Sequence, residues 1–224
     1  MSSASFRKKI INNLEAFKEL NPDKVEVYVE VAVLRDYWND LGDPIKYETT
    51  TAQNRMKILQ KILTLYEIED CLSNPAFSFF WTSKTRKKLW NPGRWEISTD
   101  EKKLLIEKKL KKLYRIKWAF NAKPDILLVS DKVAIIIEAK VESGEGINQE
   151  TGYKQLIIQR DYIARIMKNL IPDFKDKEVK HIYLTKNENI KEKDYCNMHW
   201  GKIKEIMQNS EVDKFTKDCF QKFV

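Results

Sequence analysis

Asp125, Glu138 and Lys140 are the residues of this chain whose types and spacing point most directly to chemistry. They stand inside KPDILLVSDKVAIIIEAKV (123–141), its most apolar run. An unpaired charge in a low-dielectric interior costs several kcal/mol, so charges placed there are paired or hold a ligand. Side chains alternate along a strand, which puts Glu138 and Lys140 on one face with Ala134 and Ile136, and Ile135, Ile137 and Ala139 on the other. If Asp131-Lys132 forms a two-residue turn, or a four-residue loop keeps the same register, Asp125 falls directly opposite Glu138. A three-residue loop would shift the pairing by one.

Directly opposed residues have Cβ atoms ~4.5–5.5 Å apart, which suits two carboxylates sharing one divalent ion. Hard carboxylate oxygens select Mg²⁺ or Mn²⁺, with water and a backbone carbonyl completing the shell. Such an ion lowers the pKa of water and neutralises the charge that develops on a phosphodiester. A lysine beside it orients the water or stabilises the pentavalent oxygens.

The elements around these residues must position them. Phe6, Ile10, Leu14 and Phe17 recur at helical spacing over 5–20, and 51–72 reads as an amphipathic helix with Met56, Leu59, Ile62, Leu63 and Tyr66 on one face. VEVYVEVAVL (25–34) alternates like a strand and equally suits a helix entry. Residues 98–113 open with a Ser/Thr cap and carry Glu–Lys pairs, as a helix does, and YRIKWAF (114–120) reads as a strand. The quoted run supplies two further strands, 153–170 a helix stopped by Pro172, and KHIYLT (180–185) another strand. A helical C-terminal part follows, with Trp200, Ile203, Ile206 and Phe215 among its apolar residues. The order helix, three strands, helix, strand predicts an α/β (α+β) core with a mixed central sheet flanked by helices. Residues 1–97 form a mainly helical region suited to substrate binding or dimerisation, and 98–224 the core with its C-terminal helices.

Pro124-Asp125, twelve intervening residues and Glu138-Ala139-Lys140 resemble the motif of the PD-(D/E)xK nuclease superfamily, and the order of elements resembles its restriction-endonuclease-like core. Glu-x-Lys alone carries nothing, since it recurs at 101–103, 107–109 and 178–180. Only at 124–140 do both halves fall on apolar strands expected to pair. VESGEGINQETGYKQL is similar to the polar turn and glutamine-bearing helix that follow the lysine in many of these nucleases. HIYLT and HWGKIKEIM resemble the closing strand and tryptophan helix of one bacterial branch.

The resemblance implies a Mg²⁺-dependent endonuclease (Mn²⁺ substituting) acting on DNA, of restriction or defence type, in some cases as a homodimer. Asp125, Glu138 and the carbonyl of Ala139 would hold the metal, and Lys140 would position the attacking water. Gln155, ahead of Gln159 and Gln149, would contact that water or a phosphate. Glu101, ahead of Glu107 and Glu67, would supply the acidic residue that the superfamily often adds from a helix. The alternative is a catalytically inactive nucleic-acid-binding or assembly subunit of the same fold.

Lys+Arg exceed Asp+Glu to give a net charge of +8, which favours a polyanionic partner. WTSKTRKKLW (81–90) with Arg94 and Trp95 interleaves Lys84, Arg86, Lys87 and Lys88 with aromatics, the mixture a nucleic-acid arm needs. The same tryptophans equally suit core anchors under a solvated basic loop. Cys71, Cys196 and Cys219 are too few and too scattered for a disulfide framework, and Cys196-x-x-His199 lacks a second pair to complete a zinc site. No apolar h-region or membrane-length segment stands out, so a cytoplasmic protein away from the membrane is expected.

Overall fold

The computed structural model of the chain describes residues 4–42, 48–73, 91–95, 108–140, 154–186 and 195–223. Among them five strands form one open, mixed sheet in the order β1-β2-β3-β4-β5: Glu26–Val29, Ile126–Val129, Val133–Lys140, Glu178–Thr185 and Cys196–His199. β1 pairs antiparallel with β2 and β2 with β3, while β3, β4 and β5 run parallel. The helices are α1 (Ala4–Asn13), α2 (Val33–Asp40), α3 (Glu48–Leu65), α4 (Lys108–Asn121), α5, α6 (Trp200–Gln208) and α7 (Lys214–Phe223). α5 runs through Gln155–Ile157, a π-helical stretch Ile158–Ala164 and Arg165–Leu170.

The class is therefore α/β with a mixed sheet, and two elements differ from expectation. YRIKWAF is not a strand: it completes α4, because Leu110, Leu113, Tyr114, Ile116, Ala119 and Phe120 continue one helical stripe and are buried. The third antiparallel strand comes instead from Glu26–Val29, far earlier in the chain. Cys196–His199 adds a strand ahead of the C-terminal helices.

The chain divides into two compact units, each built from separated segments. The first comprises residues 1–31, 124–156 and 173–224 and holds the whole sheet. Its core sets Val133, Ile135 and Ile137 of β3 with Ile182 and Leu184 of β4 against Ile11 of α1, Leu14 and Phe17 just after it, and Ile203, Ile206 and Met207 of α6. This is the face that alternation assigns to the odd positions of β3. Ala134, Ile136 and Glu138 on the opposite face are also buried, so β3 is central and covered on both sides.

In the second unit, residues 32–123 and 157–172, the described elements are all helical. Trp38 of α2 meets Phe120 of α4 edge to face, with ring centroids 5.6 Å apart. Tyr66 stacks on Tyr162 at 4.6 Å, and its hydroxyl donates to the Asp161 carbonyl at 2.9 Å. α3 ends in a Schellman arrangement: Ile68 N–H reaches the Leu63 carbonyl and Glu67 N–H that of Thr64, with Glu67 in the left-handed region at φ 57°. The turn Pro92–Arg94 lies against the end of α4, where Asn121 donates to the Gly93 carbonyl at 2.8 Å. A Cβ on residue 93 would stand 2.5 Å from Asn121 Oδ1, so any larger residue there would displace the Asn121 side chain from its bond to the turn.

Candidate metal centre

The β2–β3 hairpin closes through the two-residue turn Asp131-Lys132, with Ser130 N–H donating to the Val133 carbonyl at 2.9 Å. The ladder pairs Ile126 with Ile137. One residue further, Asp125 stands opposite Glu138, on the same face of the sheet. One more step sets Pro124 opposite Ala139, and this explains the Pro-Asp pair physically. Proline has no N–H, so it cannot donate to the Ala139 carbonyl, and the ladder stops. Asp125 takes over the other half of the exchange, its Oδ2 accepting the Ala139 N–H at 2.7 Å. Its own carbonyl accepts the Glu30 N–H at 3.1 Å, which fixes Asp125 from the β1 side as well. The N–H and C=O of one strand residue point to the same neighbouring strand, so the Ala139 carbonyl is directed toward Asp125.

Glu138 is 1% exposed, and its carboxylate is ion-paired with the Lys140 ammonium, whose side chain is 15% exposed. Burial disfavours the charged lysine, yet the hydrogen bond and charge of Glu138, aided by Asp125 and Tyr183, outweigh it and hold the ammonium above its ordinary range. Lys140 is thus a cation at neutral pH. The indole N–H of Trp200, the first residue of α6, donates to the Lys140 carbonyl at 3.0 Å and pins the end of β3.

Across the parallel pairing Glu138 faces Tyr183 of β4, and Tyr183 faces Asn197 of β5. One row along, Lys140 faces Thr185 and then His199. Tyr183 and Thr185 are buried. Sequence reasoning missed Tyr183, Thr185 and Glu30, because nothing local sets the register of β4 on β3 or of β1 on β2. Trp200 was visible as a tryptophan opening a helix, and its bond to Lys140 was not.

Of the remaining predicted residues, Gln155 is the first residue of α5 and half-buried, while Gln159 in the π-helical stretch is fully buried. Arg94 is exposed in the Pro92–Arg94 turn, beside Trp95, which is buried as a core anchor. Glu101, Lys84, Arg86, Lys87 and Lys88 lie outside the described residues, as do Trp81, Trp90 and Gln149. Cys196 and His199 are three apart on β5, so alternation sends their side chains to opposite faces and they cannot share a metal.

The donor set suits a hard divalent cation: two opposed carboxylates and a carbonyl freed from its ladder by Pro124. Among the described residues no group of three or more His, Cys, Asp or Glu side chains is gathered. No family model, curated protein or solved structure matches the chain.

Proposed function

We propose that this chain is a metal-dependent nuclease of the PD-(D/E)xK type, with the restriction-endonuclease-like core, hydrolysing phosphodiester bonds in DNA. One observation carries the reading: Asp125 is held on the Ala139 N–H at the foot of β3, while Glu138 and Lys140 form a buried ion pair on the same face. A hairpin kept only for stability has no use for two carboxylates and a lysine at that level of a covered sheet.

Asp125, Glu138 and the Ala139 carbonyl would hold Mg²⁺, which when bound supplies Lewis-acid charge to the scissile phosphate and its attacking water. The remaining work falls to the chain. Lys140, cationic at neutral pH, is a donor and a charge rather than a general base, and it meets an anionic phosphoryl oxygen or orients the attacking water. Trp200 keeps the Lys140 backbone from moving during that encounter. Gln155 contributes an amide at the entry to α5. In the reaction a water oxygen bonds to phosphorus, the P–O bond to the leaving oxygen breaks, and that oxygen takes up a proton.

The test is cleavage of supercoiled plasmid and linear duplex DNA in Mg²⁺ by the wild-type chain and by Lys140→Ala. Metal-dependent nicking lost in the variant supports the reading. Duplex binding with no cleavage under any divalent cation supports the non-cutting subunit instead.

A further inference from the structure

The helical unit carries an open groove of about 650 Å³ between the second half of α3 and the C-terminal end of α5. Lys57, Gln60, Lys61 and Thr64 line it from α3, at the i, i+3, i+4, i+7 spacing of a single stripe. Asn169 faces them from α5, and one leucine from each helix, Leu65 and Leu170, completes the lining. Every polar side chain in the groove can donate a hydrogen bond, and none is a carboxylate.

The charge on this stripe is unbalanced. Lys57 and Lys61 are exposed, and like charges at i, i+4 destabilise a helix by a few tenths of a kcal/mol. Among the described residues neither has an ion-pair or hydrogen-bond partner, and the same holds for exposed Lys168, next to Asn169. On α4, by comparison, Lys109 pairs with Asp70 and Lys112 donates to the Tyr66 carbonyl, while Lys108 and Lys111 are exposed as Lys57 and Lys61 are. The opposite face of α3, with Leu59, Ile62, Leu63 and Tyr66, is buried, so the stripe is fixed facing outward.

We infer that this groove is a binding surface for the sugar–phosphate backbone of duplex DNA. The inference rests on the nucleic-acid reading above and adds a docking surface to it. An open groove does not enclose a small ligand as a pocket does, but it admits a rod-like polyanion. Lys57 and Lys61 stand about 6 Å apart along the helix, while a duplex carries one charge per ~1.7 Å of its axis, so each lysine meets a phosphate. The amides of Gln60 and Asn169 and the Thr64 hydroxyl add neutral donors to phosphate oxygens, contacts that position a duplex without reading its sequence.

The test is the salt dependence of binding, which needs no turnover. A fluorescent DNA duplex is titrated in EDTA with wild-type protein, with Lys57→Gln/Lys61→Gln, and with Lys175→Gln/Lys214→Gln as an equal charge change on exposed lysines of the sheet-bearing unit. Two lost phosphate contacts flatten the slope of log K against log[salt] by about 1.8, so the affinity lost between 50 and 200 mM salt becomes about tenfold smaller. The control pair is expected to leave the slope at its wild-type value. Equal slopes in the two double variants overturn the groove while leaving the nuclease reading intact. Wild-type protein that binds no duplex, or prefers anionic vesicles, overturns the groove as well, while the nuclease reading stands or falls separately on the Mg²⁺ cleavage test. If the double variant folds poorly, Lys61→Gln alone must still show half the effect.

Discussion

Replacing Lys140 by methionine keeps the apolar stem and removes the ammonium, leaving Glu138 buried at 1% exposure with its cation gone. Breaking a buried pair by deleting one partner costs about 3–5 kcal/mol, because the remaining charge is uncompensated. We expect Lys140→Met to lose that much stability at pH 8, in urea, with an unchanged m-value. The sign of its pH dependence is then fixed. A carboxylate stranded in a dry site binds its proton more tightly folded than unfolded, so acidification stabilises the variant relative to wild type. The recovery has a slope of up to about 1.4 kcal/mol per pH unit and ends near the ordinary glutamate pKa of ~4.3. Adding Glu138→Gln removes the stranded charge and should restore most of the loss at pH 8. Wild type behaves oppositely on the alkaline side. The raised Lys140 pKa means its stabilisation is complete at neutral pH and is lost only as pH rises through that value, above the ordinary 10.5. A cost under about 1 kcal/mol at pH 8, with no recovery at pH 5, would show that Glu138 is solvated and would remove the buried site from the argument.

Asp125→Asn retains an acceptor for the Ala139 N–H and Asp125→Ala does not, so only the alanine variant should lose about 1.5–3 kcal/mol of stability, while both should abolish cleavage. Near-wild-type activity of either in Mg²⁺ would refute the assignment. EDTA should stop cleavage completely, and Ca²⁺ should support DNA binding with little turnover, since it accepts the same oxygens in a looser geometry. Trp200→Phe deletes the bond to the Lys140 carbonyl while keeping a ring, and should lower kcat with little change in DNA affinity; a change confined to affinity would contradict its positioning role. Replacing Lys84, Arg86, Lys87 and Lys88 by alanine should flatten the salt slope by roughly 3–4 if all four touch phosphates. No change beyond that of four alanine replacements at exposed lysines elsewhere would mark the segment as a solvated loop.

The hairpin and its pair of carboxylates were legible because everything that sets them is local. A two-residue turn and an apolar alternation fix the register of β2 on β3, and so set Asp125 against Glu138. β1 was ambiguous for a physical reason: all four of its residues are exposed, so no burial pattern marks its face. β5 was missed for a different reason: at four residues it is too short to show an alternation. The end of α4 was misread because Tyr, Ile, Trp and Phe favour strands, while the helical stripe begun at Leu110 decides the outcome through packing. The row Glu138–Tyr183–Asn197 depends on two parallel pairings made across long connections, and no short-range signal encodes those registers.

The Glu138–Lys140 pair is the least economical feature of the sheet as a fold. Apolar residues of similar volume at these positions would be as stable or more so, and Ala134 and Ile136 on the same face are such residues. What the pair provides is a carboxylate never left bare. In the ligand-free chain Lys140 neutralises it, and Asp125, one strand away, is occupied by a backbone N–H rather than by a competing cation. On the proposed reading Glu138 can exchange its lysine for a divalent ion without exposing an unpaired charge at either stage, and the released ammonium is already at hand for an anionic substrate. On that reading, the stability that the pair withholds from the fold would go into a site whose charges are arranged before substrate arrives, which is where electrostatic catalysis gains most.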